Sequence, residues 1–224
     1  MVDFDKIWVE KYRPATLDDI ILDERTLKQV EEFKDEIPNL LFVGNPGTGK
    51  TTLARIIVND VLGCNYLYIN ASDESGIDTI RHNITNFAQT KSFDGKVKVI
   101  ILDEADGLTT QAQAALRNTM ETYAKYCRFI LTANYKHKII PAVQSRCQSL
   151  DIKPVVQLAV KRCYSILKDE NIIVSEEQKK KFVHLVKRHF PDLRKTINEL
   201  QKNIIDSELC IVSVTGDNEL LEAV

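Results

Sequence analysis

The sequence has few of the features that would place a protein in a membrane or outside the cell. No run approaches the roughly 18 apolar residues of a membrane span, and Met1–Lys6 lacks the basic-then-apolar order of a signal peptide. The five cysteines include no C-x-x-C pair, which argues against zinc ligands and favours reduced thiols. We therefore expect a cytoplasmic protein with no membrane partner.

The sequence also lacks a strong charge of either sign. Lys and Arg number 30 and Asp and Glu number 32, so the net charge is −2. Composition therefore does not indicate nucleic acid as a partner, which would have to be bound by a local basic face. A length of 224 residues allows one large or two modest domains, and we find no internal repeat or low-complexity segment.

Glycine is scarce, with eight residues, yet three of them fall between positions 44 and 49. The run Gly44-Asn45-Pro46-Gly47-Thr48-Gly49-Lys50-Thr51 lies between an apolar stretch, Leu40–Val43, and a helical pattern over 52–58. Strand, glycine-rich loop and helix are the context of a phosphate-binding P-loop. Backbone N–H groups and the helix N-terminus would hold a polyphosphate. Lys50 would neutralise the β- and γ-phosphates, and the Thr51 hydroxyl would ligate Mg²⁺.

Strands alternate with helices as far as residue 152, which predicts an α/β fold with a parallel sheet covered on both faces. The predicted strands are 40–43, 66–69, 97–102, 127–132 and 148–152, and the predicted helices are 26–36, 50–62, 77–87, 112–123 and 139–144. From Lys153 onward the pattern predicts helices only, at 155–171, 175–189 and 191–207. We therefore predict a nucleotide-binding domain over 1–152 and a small all-helical domain over 153–224.

Polar residues follow two of the predicted strands at the edge that would face the P-loop. Asp103 and Glu104 end the most apolar strand, where Asp103 would hold Mg²⁺ and Glu104 would polarise the attacking water. An acidic pair after a strand is also typical of a surface turn, and residues 103–106 spell a helicase signature whose companion motifs we do not find. Asn134 ends the next strand, where an amide can orient water, sense a γ-phosphate or merely end the strand. No guanine-reading Asn-Lys-x-Asp motif occurs, which favours adenine.

Several cations have less specific contexts. Arg146 precedes the last strand and could stabilise transition-state charge, while Arg194 opens the last helix and could couple the nucleotide to a domain motion. Either is also typical of an ordinary surface cation. The basic candidates for nucleic-acid contact, each equally consistent with a solvated side chain, are Arg81, His82, Lys91, Lys96, Lys98, Arg117, Lys136 and Lys138.

Seven motifs together resemble the ATPase subunits of sliding-clamp loaders, within the AAA+ superfamily. They are Glu10-Lys11-Tyr12-Arg13-Pro14, the P-loop, and the segments 70–78, 102–106, 132–135, 145–147 and 190–195. The segments 92–96 and 190–195 are most similar to the ATPase of T-even-type bacteriophages, in which case the cytoplasm is that of the host. Small subunits of replication factor C are the near relatives.

The resemblance implies an ATP- and Mg²⁺-dependent ATPase, and its site residues can be carried over individually. The adenine side would be contacted by Val9, Glu10, Lys11, Tyr12, Arg13 and Ile21, and the phosphates and Mg²⁺ by Gly47, Thr48, Gly49, Lys50, Thr51 and Thr52. Asp103 and Glu104 would be the Walker B pair, and Asn134 and Arg194 the first and second sensors. Arg146 would act in trans on the ATP of a neighbouring subunit, and Arg81 would contact DNA.

The resemblance further implies a function in DNA replication, in which ATP binding and hydrolysis load a ring-shaped sliding clamp onto primed DNA. The expected partners are the clamp, the primer–template junction and other loader subunits, including copies of this chain. Family members usually continue into a helical collar domain that holds the ring together, which we do not find before Val224. Because Arg146 would need a neighbouring subunit, we expect activity only in a multi-subunit assembly. The alternatives are another AAA+ DNA motor, such as a branch-migration helicase, and a nucleotide-bound interaction module that does not hydrolyse ATP.

Overall fold

The chain forms two compact units, which are described separately. A computed structural model describes residues 6–72, 77–90 and 97–211, with only the backbone for 77–81. The first unit, a sheet unit, is Pro14–Pro154, and the second, a helical unit, comprises residues 6–13 and 155–211. The predicted nucleotide-binding domain includes the residues before Pro14, whereas the compact units group residues 6–13 with the helical unit.

The elements agree closely with the periodicity of the sequence. The strands are β1 (Leu40–Val43), β2 (Tyr66–Asn70), β3 (Lys98–Asp103), β4 (Cys127–Ala133), β5 (Gln148–Asp151), β6 (Ile204–Ile205) and β7 (Glu208–Leu209). The helices are α1 (Trp8–Lys11), α2 (Glu24–Glu31), α3 (Lys50–Ile56), α4 (Ile77–Gln89), α5 (Thr110–Thr122), α6 (Pro141–Gln144), α7 (Val156–Asp169), α8 (Glu176–His189) and α9 (Leu193–Lys202). None of the helices in the described part of the chain is long and apolar enough to cross a membrane.

The sheet unit is built on five parallel strands in the order β2-β3-β4-β1-β5. Leu40, at the start of β1, lies opposite both Ile130 of β4 and Gln148 of β5. Parallel strands need long crossover connections, and helices supply them here. Because all five strands run in the same direction, the loops that follow β1, β3 and β4 meet at one edge of the sheet.

Two apolar layers cover the sheet, one on each face. Leu41 and Ile100 pack in one cluster with α4, α5 and α6. Phe42 and Ile101 are their immediate neighbours along the strands, and they pack in the other cluster with α2 and α3. This division follows from the alternation of side chains along a strand. The predicted α/β fold with helices on both faces is confirmed.

The helix starts and ends have local causes. Asp23 and Thr109 cap α2 and α5, since their side chains accept hydrogen bonds from the N–H groups of Thr26 and Ala112. The helix that begins as α3 continues as a π-helical turn over Ile57–Val61, so the predicted helix over 50–62 is present but not regular throughout. Such turns are rare and often occur near functional sites.

The helical unit contains α1 and α7 to α9, followed by a small hairpin of β6 and β7. The Trp8 N–H donates to Oε1 of Gln201 on α9 (3.1 Å), and the Gln201 amide donates to the carbonyl oxygen of Lys6 (2.6 Å). These contacts are the reason that the N-terminal residues group with this unit. The last helix ends at Lys202, so the prediction of helix as far as residue 207 is wrong.

The hairpin explains that error. Asp206 and Ser207 form its two-residue loop, with φ of 49° and 63°. Positive φ at both positions matches the right-handed twist of the strands that such a loop joins. The β-branched pair Ile204 and Ile205 favours a strand over a helix, although both lie within the predicted helix over 191–207. The domain is therefore mainly, but not wholly, helical.

Candidate active site

The loop between β1 and α3 has the backbone that its glycines predict. Gly47 and Gly49 adopt φ of 76° and 94°, values that favour glycine. A Cβ on Gly44 would lie 2.7 Å from the carbonyl oxygen of Ile152, so this position also excludes a side chain. The loop can therefore curl closely at the start of α3, which is the geometry that phosphate binding requires.

Lys50 holds this loop against the end of β4. The side chain is buried, and its Nζ donates to the carbonyl oxygens of Gly44 (2.8 Å) and Asn45 (2.9 Å). It also donates to Oδ1 of Asn134 (2.8 Å). These acceptors match the three donors of an ammonium group. The cation and the predicted sensor amide are thus in direct contact, with the cation beside the loop.

Asp103 is the centre of a set of hydroxyl groups at the same edge. Its buried carboxylate accepts hydrogen bonds at Oδ1 from Thr51 (2.7 Å) and Thr132 (2.6 Å). At Oδ2 it accepts from Tyr68 (2.8 Å) and again from Thr51 (3.0 Å). A carboxylate and a hydroxyl side by side are the hard oxygen donors that Mg²⁺ prefers. The donor set therefore fits the magnesium ion that the sequence predicts.

Tyr68 is held at the face of its ring by Arg55 and at its hydroxyl group by Asp103. The guanidinium carbon of Arg55 on α3 lies 4.8 Å from the ring centroid. Burial, the hydrogen bond to Asp103 and the charge of that carboxylate raise the pKa of Tyr68 to about 12. The phenol therefore stays protonated at neutral pH and acts as a hydrogen-bond donor.

Glu104 has a left-handed backbone, with φ of 55°. Its N–H donates to Oγ1 of Thr132 (3.0 Å), the same hydroxyl that donates to Asp103. A non-glycine residue in this region costs of order 1–3 kcal/mol, and such strain concentrates at functional sites. The turn exposes the Glu104 side chain while the neighbouring Asp103 stays buried. One carboxylate is thus held by hydroxyl groups, whereas the next is accessible to solvent.

Asp106 connects the turn after β3 to the end of β4. Its Oδ2 accepts hydrogen bonds from the N–H groups of Asn134 (3.2 Å) and Tyr135 (3.1 Å). The last residue of the helicase-like signature therefore has a structural role in this chain: it holds the backbone of the predicted first sensor.

Arg146 lies at the opposite edge of the sheet from the P-loop. It precedes Gln148, which pairs with Leu40 at the start of β1, whereas the P-loop follows Val43 at the end of β1. Three residue steps along the strand separate these edges by about 10 Å. The Arg146 Nε donates to Oε1 of Glu121 (2.8 Å), and its Nη1 donates to the carbonyl oxygen of Ala142 (2.7 Å). The guanidinium thus faces Glu121 and Ala142 and not the P-loop of the same chain.

The predicted adenine-side residues fall into both units. Ile21 is buried in the sheet unit, whereas Val9–Arg13 lies around α1 in the helical unit. There the Nζ of Lys11 (2.7 Å) and the hydroxyl of Tyr12 (2.8 Å) both contact Oε1 of Glu170. Because Glu170 directly follows α7, these bonds fix the N-terminal segment to the C-terminal end of that helix.

The remaining predicted residues are less informative. Thr48 is buried and its hydroxyl donates to the carbonyl oxygen of Asn45 (2.9 Å), while Thr52 follows Thr51 on α3. Arg194 is the exposed second residue of α9. Arg81 lies on α4, but its side chain is outside the described part of the structure. The assigned roles of these residues stay predictions.

Four residues of the site were not singled out from the sequence, namely Tyr68, Thr132, Asp106 and Glu121. Thr132 is the last residue of one predicted strand, and Asp106 follows the end of another by four residues, which was the available signal. Tyr68 lies on the same face of β2 as Asn70, which pairs with Asp103, so the register of the sheet and not the sequence identifies it. Nothing in the sequence pattern indicates Glu121.

Comparison with known proteins agrees with this geometry. Residues 40–154 match the family model described as "ATPase family associated with various cellular activities (AAA)". Residues 151–209 match the model described as "Sliding-clamp-loader large subunit, AAA+ ATPase lid domain". The first match covers the P-loop, Asp103, Glu104, Asn134 and Arg146, and the second covers α7 to α9 and the hairpin.

The curated relatives are subunits of replication factor C. The small subunit from Archaeoglobus fulgidus is 45% identical over 204 residues, which are 88% of this chain and 63% of the relative. Subunit 3 from Blastobotrys adeninivorans is 40% identical over 223 residues, or 96% of this chain and 63% of the relative. The chain thus spans about 63% of the length of these relatives.

Among solved structures, the RuvB Holliday junction branch migration motor of Thermotoga maritima has the same fold. The two superpose with a TM-score of 0.66 at 22% identity, over 86% of this chain and 64% of the other. At that identity the similarity concerns the fold alone. The family model, the relatives and the shared fold are all consistent with the P-loop and the acidic pair that lie at one edge of the sheet. The chain belongs to the AAA family of ATPases and carries a lid domain of the sliding-clamp-loader type.

Proposed function

We propose that this chain is an ATP-hydrolysing subunit of a sliding-clamp loader, which couples ATP binding and hydrolysis to loading a ring-shaped clamp onto primed DNA. The observation that carries the proposal is the contact network at one edge of the sheet. There Lys50 meets Asn134, and Thr51 meets Asp103 beside Glu104. The lid match and the similarity to replication factor C subunits support the clamp loader among AAA ATPases.

ATP would be held by Gly47–Thr52, with Thr51 and Asp103 as the residues for Mg²⁺. A hydroxyl has one proton to donate and two acceptor lone pairs. Thr51 can therefore keep donating its hydrogen bond to Asp103 while a lone pair of the same oxygen faces a cation. Bound Mg²⁺ supplies charge neutralisation for the phosphates. Lys50 adds a second positive charge beside the loop, and it would exchange a protein acceptor for a phosphate oxygen.

Glu104 would accept the proton of the attacking water, because its carboxylate is the exposed member of the acidic pair. Asn134 would orient that water or sense the γ-phosphate. The hydrogen bond from Lys50 and the two backbone bonds to Asp106 support this role, since they fix where the amide lies. Val9–Arg13 and Ile21 would contact the adenine side, and Arg194 would be the second sensor.

Arg146 would complete the ATP site of a neighbouring subunit. Its place at the sheet edge opposite the P-loop supports action in trans, because its guanidinium bonds Glu121 and Ala142 at that edge. The partners in this proposal are the sliding clamp, the primer–template junction and other loader subunits, including copies of this chain. Arg81 on α4 is the proposed DNA contact.

The test is steady-state ATP turnover in the assembled loader. We expect the rate to rise when clamp and primed duplex are added together, and to rise less with either one. A rate that does not respond to both would contradict the clamp-loader function. Strand displacement without a clamp would instead favour a branch-migration motor, and binding of ATP without turnover in the assembly would favour an interaction module.

A further inference from the structure

The Asp103 carboxylate accepts hydrogen bonds from three side chains, of which only Thr51 belongs to the P-loop motif. Thr132 comes from β4 and Tyr68 from β2, the strands on either side of β3. We propose that Tyr68 is a positioning residue that fixes the rotation of the Asp103 carboxylate and so lowers the Mg²⁺ concentration needed to bind ATP. This inference rests on the proposed function, since it requires Mg²⁺ and ATP to bind at the P-loop.

The pattern of bonds shows why a second donor is needed. The last torsion of an aspartate is broad, so neighbouring groups determine how the carboxylate is turned. Thr51 donates toward both oxygens, at 2.7 Å and 3.0 Å, and therefore does not distinguish them. Thr132 bonds only Oδ1 and Tyr68 bonds only Oδ2. Together these two hydroxyl groups hold one oxygen each, which defines the rotation.

A tyrosine suits this position because of its length. Tyr68 pairs with Ile101, two residues and about 7 Å along the strand direction before Asp103, so only a long side chain can bring a hydroxyl to that carboxylate. The rigid ring spans that distance with only two side-chain torsions. Arg55 lies over the ring, and the ring packs against the apolar cluster that contains Ile101. The donor is thus held in place before any cation binds.

The experiment compares Tyr68→Phe with Tyr66→Phe in the full chain. Tyr68→Phe keeps the ring and removes only the hydroxyl, while Tyr66 lies on the same strand with a third of its surface exposed and pairs with Val99. A fluorescent ATP analogue is titrated at a series of Mg²⁺ concentrations and in EDTA. We expect the Mg²⁺ midpoint to rise about tenfold for Tyr68→Phe, as for other groups that orient metal ligands. Binding in EDTA, and all binding by Tyr66→Phe, should match the wild type.

A double-mutant cycle tests whether Tyr68 acts through Asp103. In an Asp103→Asn background, Tyr68→Phe should cause no further change in the Mg²⁺ midpoint, because the carboxylate that it orients is gone. An equal shift in both backgrounds would indicate a general structural effect and would overturn the inference. An unchanged midpoint in Tyr68→Phe alone would also overturn it.

The amplitude of the binding signal and the behaviour of the wild type distinguish unfolding, failure of the proposed function and failure of the inference. Partial unfolding of a variant lowers the amplitude of the binding signal, whereas a weaker Mg²⁺ site moves the midpoint, so both are recorded. If the wild-type chain shows no Mg²⁺-dependent binding of the analogue, the proposed function fails and the inference fails with it. If the wild type binds normally and Tyr68→Phe does too, only the inference fails.

Discussion

At the level of single residues, the site is a set of polar groups that the fold alone would not require. A buried carboxylate is costly unless hydrogen bonds satisfy it, and Asp103 accepts from three hydroxyl groups, of which the Thr51 hydroxyl lies near both carboxylate oxygens. Lys50 is likewise buried with its donors engaged. The polar groups are explained by the phosphates and Mg²⁺ that we propose they bind.

Substituting the two charged groups should separate binding from hydrolysis. Lys50→Ala should weaken ATP binding roughly 10- to 100-fold, the loss expected for a charge-assisted contact. Glu104→Gln should bind ATP like the wild type but turn over about 10²–10⁴-fold more slowly, because the amide cannot accept the proton of water. Equilibrium binding and single-turnover hydrolysis measure the two effects in the assembled loader.

The matched control is Glu36→Gln, which makes the same chemical change at an exposed position of the sheet unit. It should leave binding and turnover unchanged. Multiple turnover by Glu104→Gln at the wild-type rate would remove Glu104 from its proposed role.

At the level of elements, α2 shows how a local cap stabilises the sheet unit. Asp23 accepts hydrogen bonds from the N–H (2.9 Å) and hydroxyl (2.8 Å) of Thr26. The backbone bond is the main cause that lowers the pKa of Asp23 from its usual 3.8. A lowered pKa means that the stabilisation is present above the unfolded value of 3.8 and is lost as the pH falls through the folded value.

Asp23→Ala should therefore destabilise the chain by about 1 kcal/mol at pH 7. The difference from wild type should shrink as the pH falls below the unfolded value of 3.8 and through the lower folded value, because the wild-type cap then becomes protonated. Urea unfolding across this range measures the free energy of unfolding of both proteins. A difference that does not depend on pH would contradict the ionised cap.

Asp23→Asn is the control, because an asparagine caps helices about as well as an aspartate but does not titrate. The free energy of unfolding of Asp23→Asn should therefore stay above that of Asp23→Ala at low pH. The comparison assigns the pH dependence to this carboxyl group and not to the others in the chain.

At the level of the whole molecule, the role that we propose for Arg146 involves a neighbouring subunit. We expect Arg146→Ala to lower turnover by about 10³–10⁵-fold at the ATP site of the adjacent subunit, the usual contribution of an arginine finger. In mixtures of Arg146→Ala and Lys50→Ala chains, sites that pair a wild-type P-loop with a wild-type Arg146 should remain active. Turnover as a function of the mixing ratio measures this complementation.

Arg25→Ala is the control, since Arg25 is an exposed arginine on α2 of the same unit. It should leave turnover unchanged at every ratio. Damage confined to the Arg146→Ala chain's own P-loop site would contradict action in trans. Sedimentation with and without an ATP analogue reports in the same samples whether the chains associate.

The elements were predictable because their causes are local. The strands from β1 to β5 begin and end within one or two residues of the predicted bounds, since apolar runs and turn residues mark them. Turn chemistry that we did not recognise caused the error at the hairpin around Asp206 and Ser207. The start of α9 also follows from a local cap, as Asp192 accepts from the N–H of Lys195, while Pro191 precedes the helix.

The order of residues was enough to identify the P-loop, the acidic pair and the α/β fold, because each depends on spacing within a few residues. It did not indicate which side chains meet across strands. The bonds of Tyr68 and Thr132 to Asp103, of Asp106 to the backbone of Asn134, and of Glu121 to Arg146 join residues 25 to 35 positions apart. Only the strand order and register of the folded sheet bring such residues together. The same register sets Arg146 at the edge opposite the P-loop, and this placement supports the proposal that Arg146 acts on the ATP of another subunit.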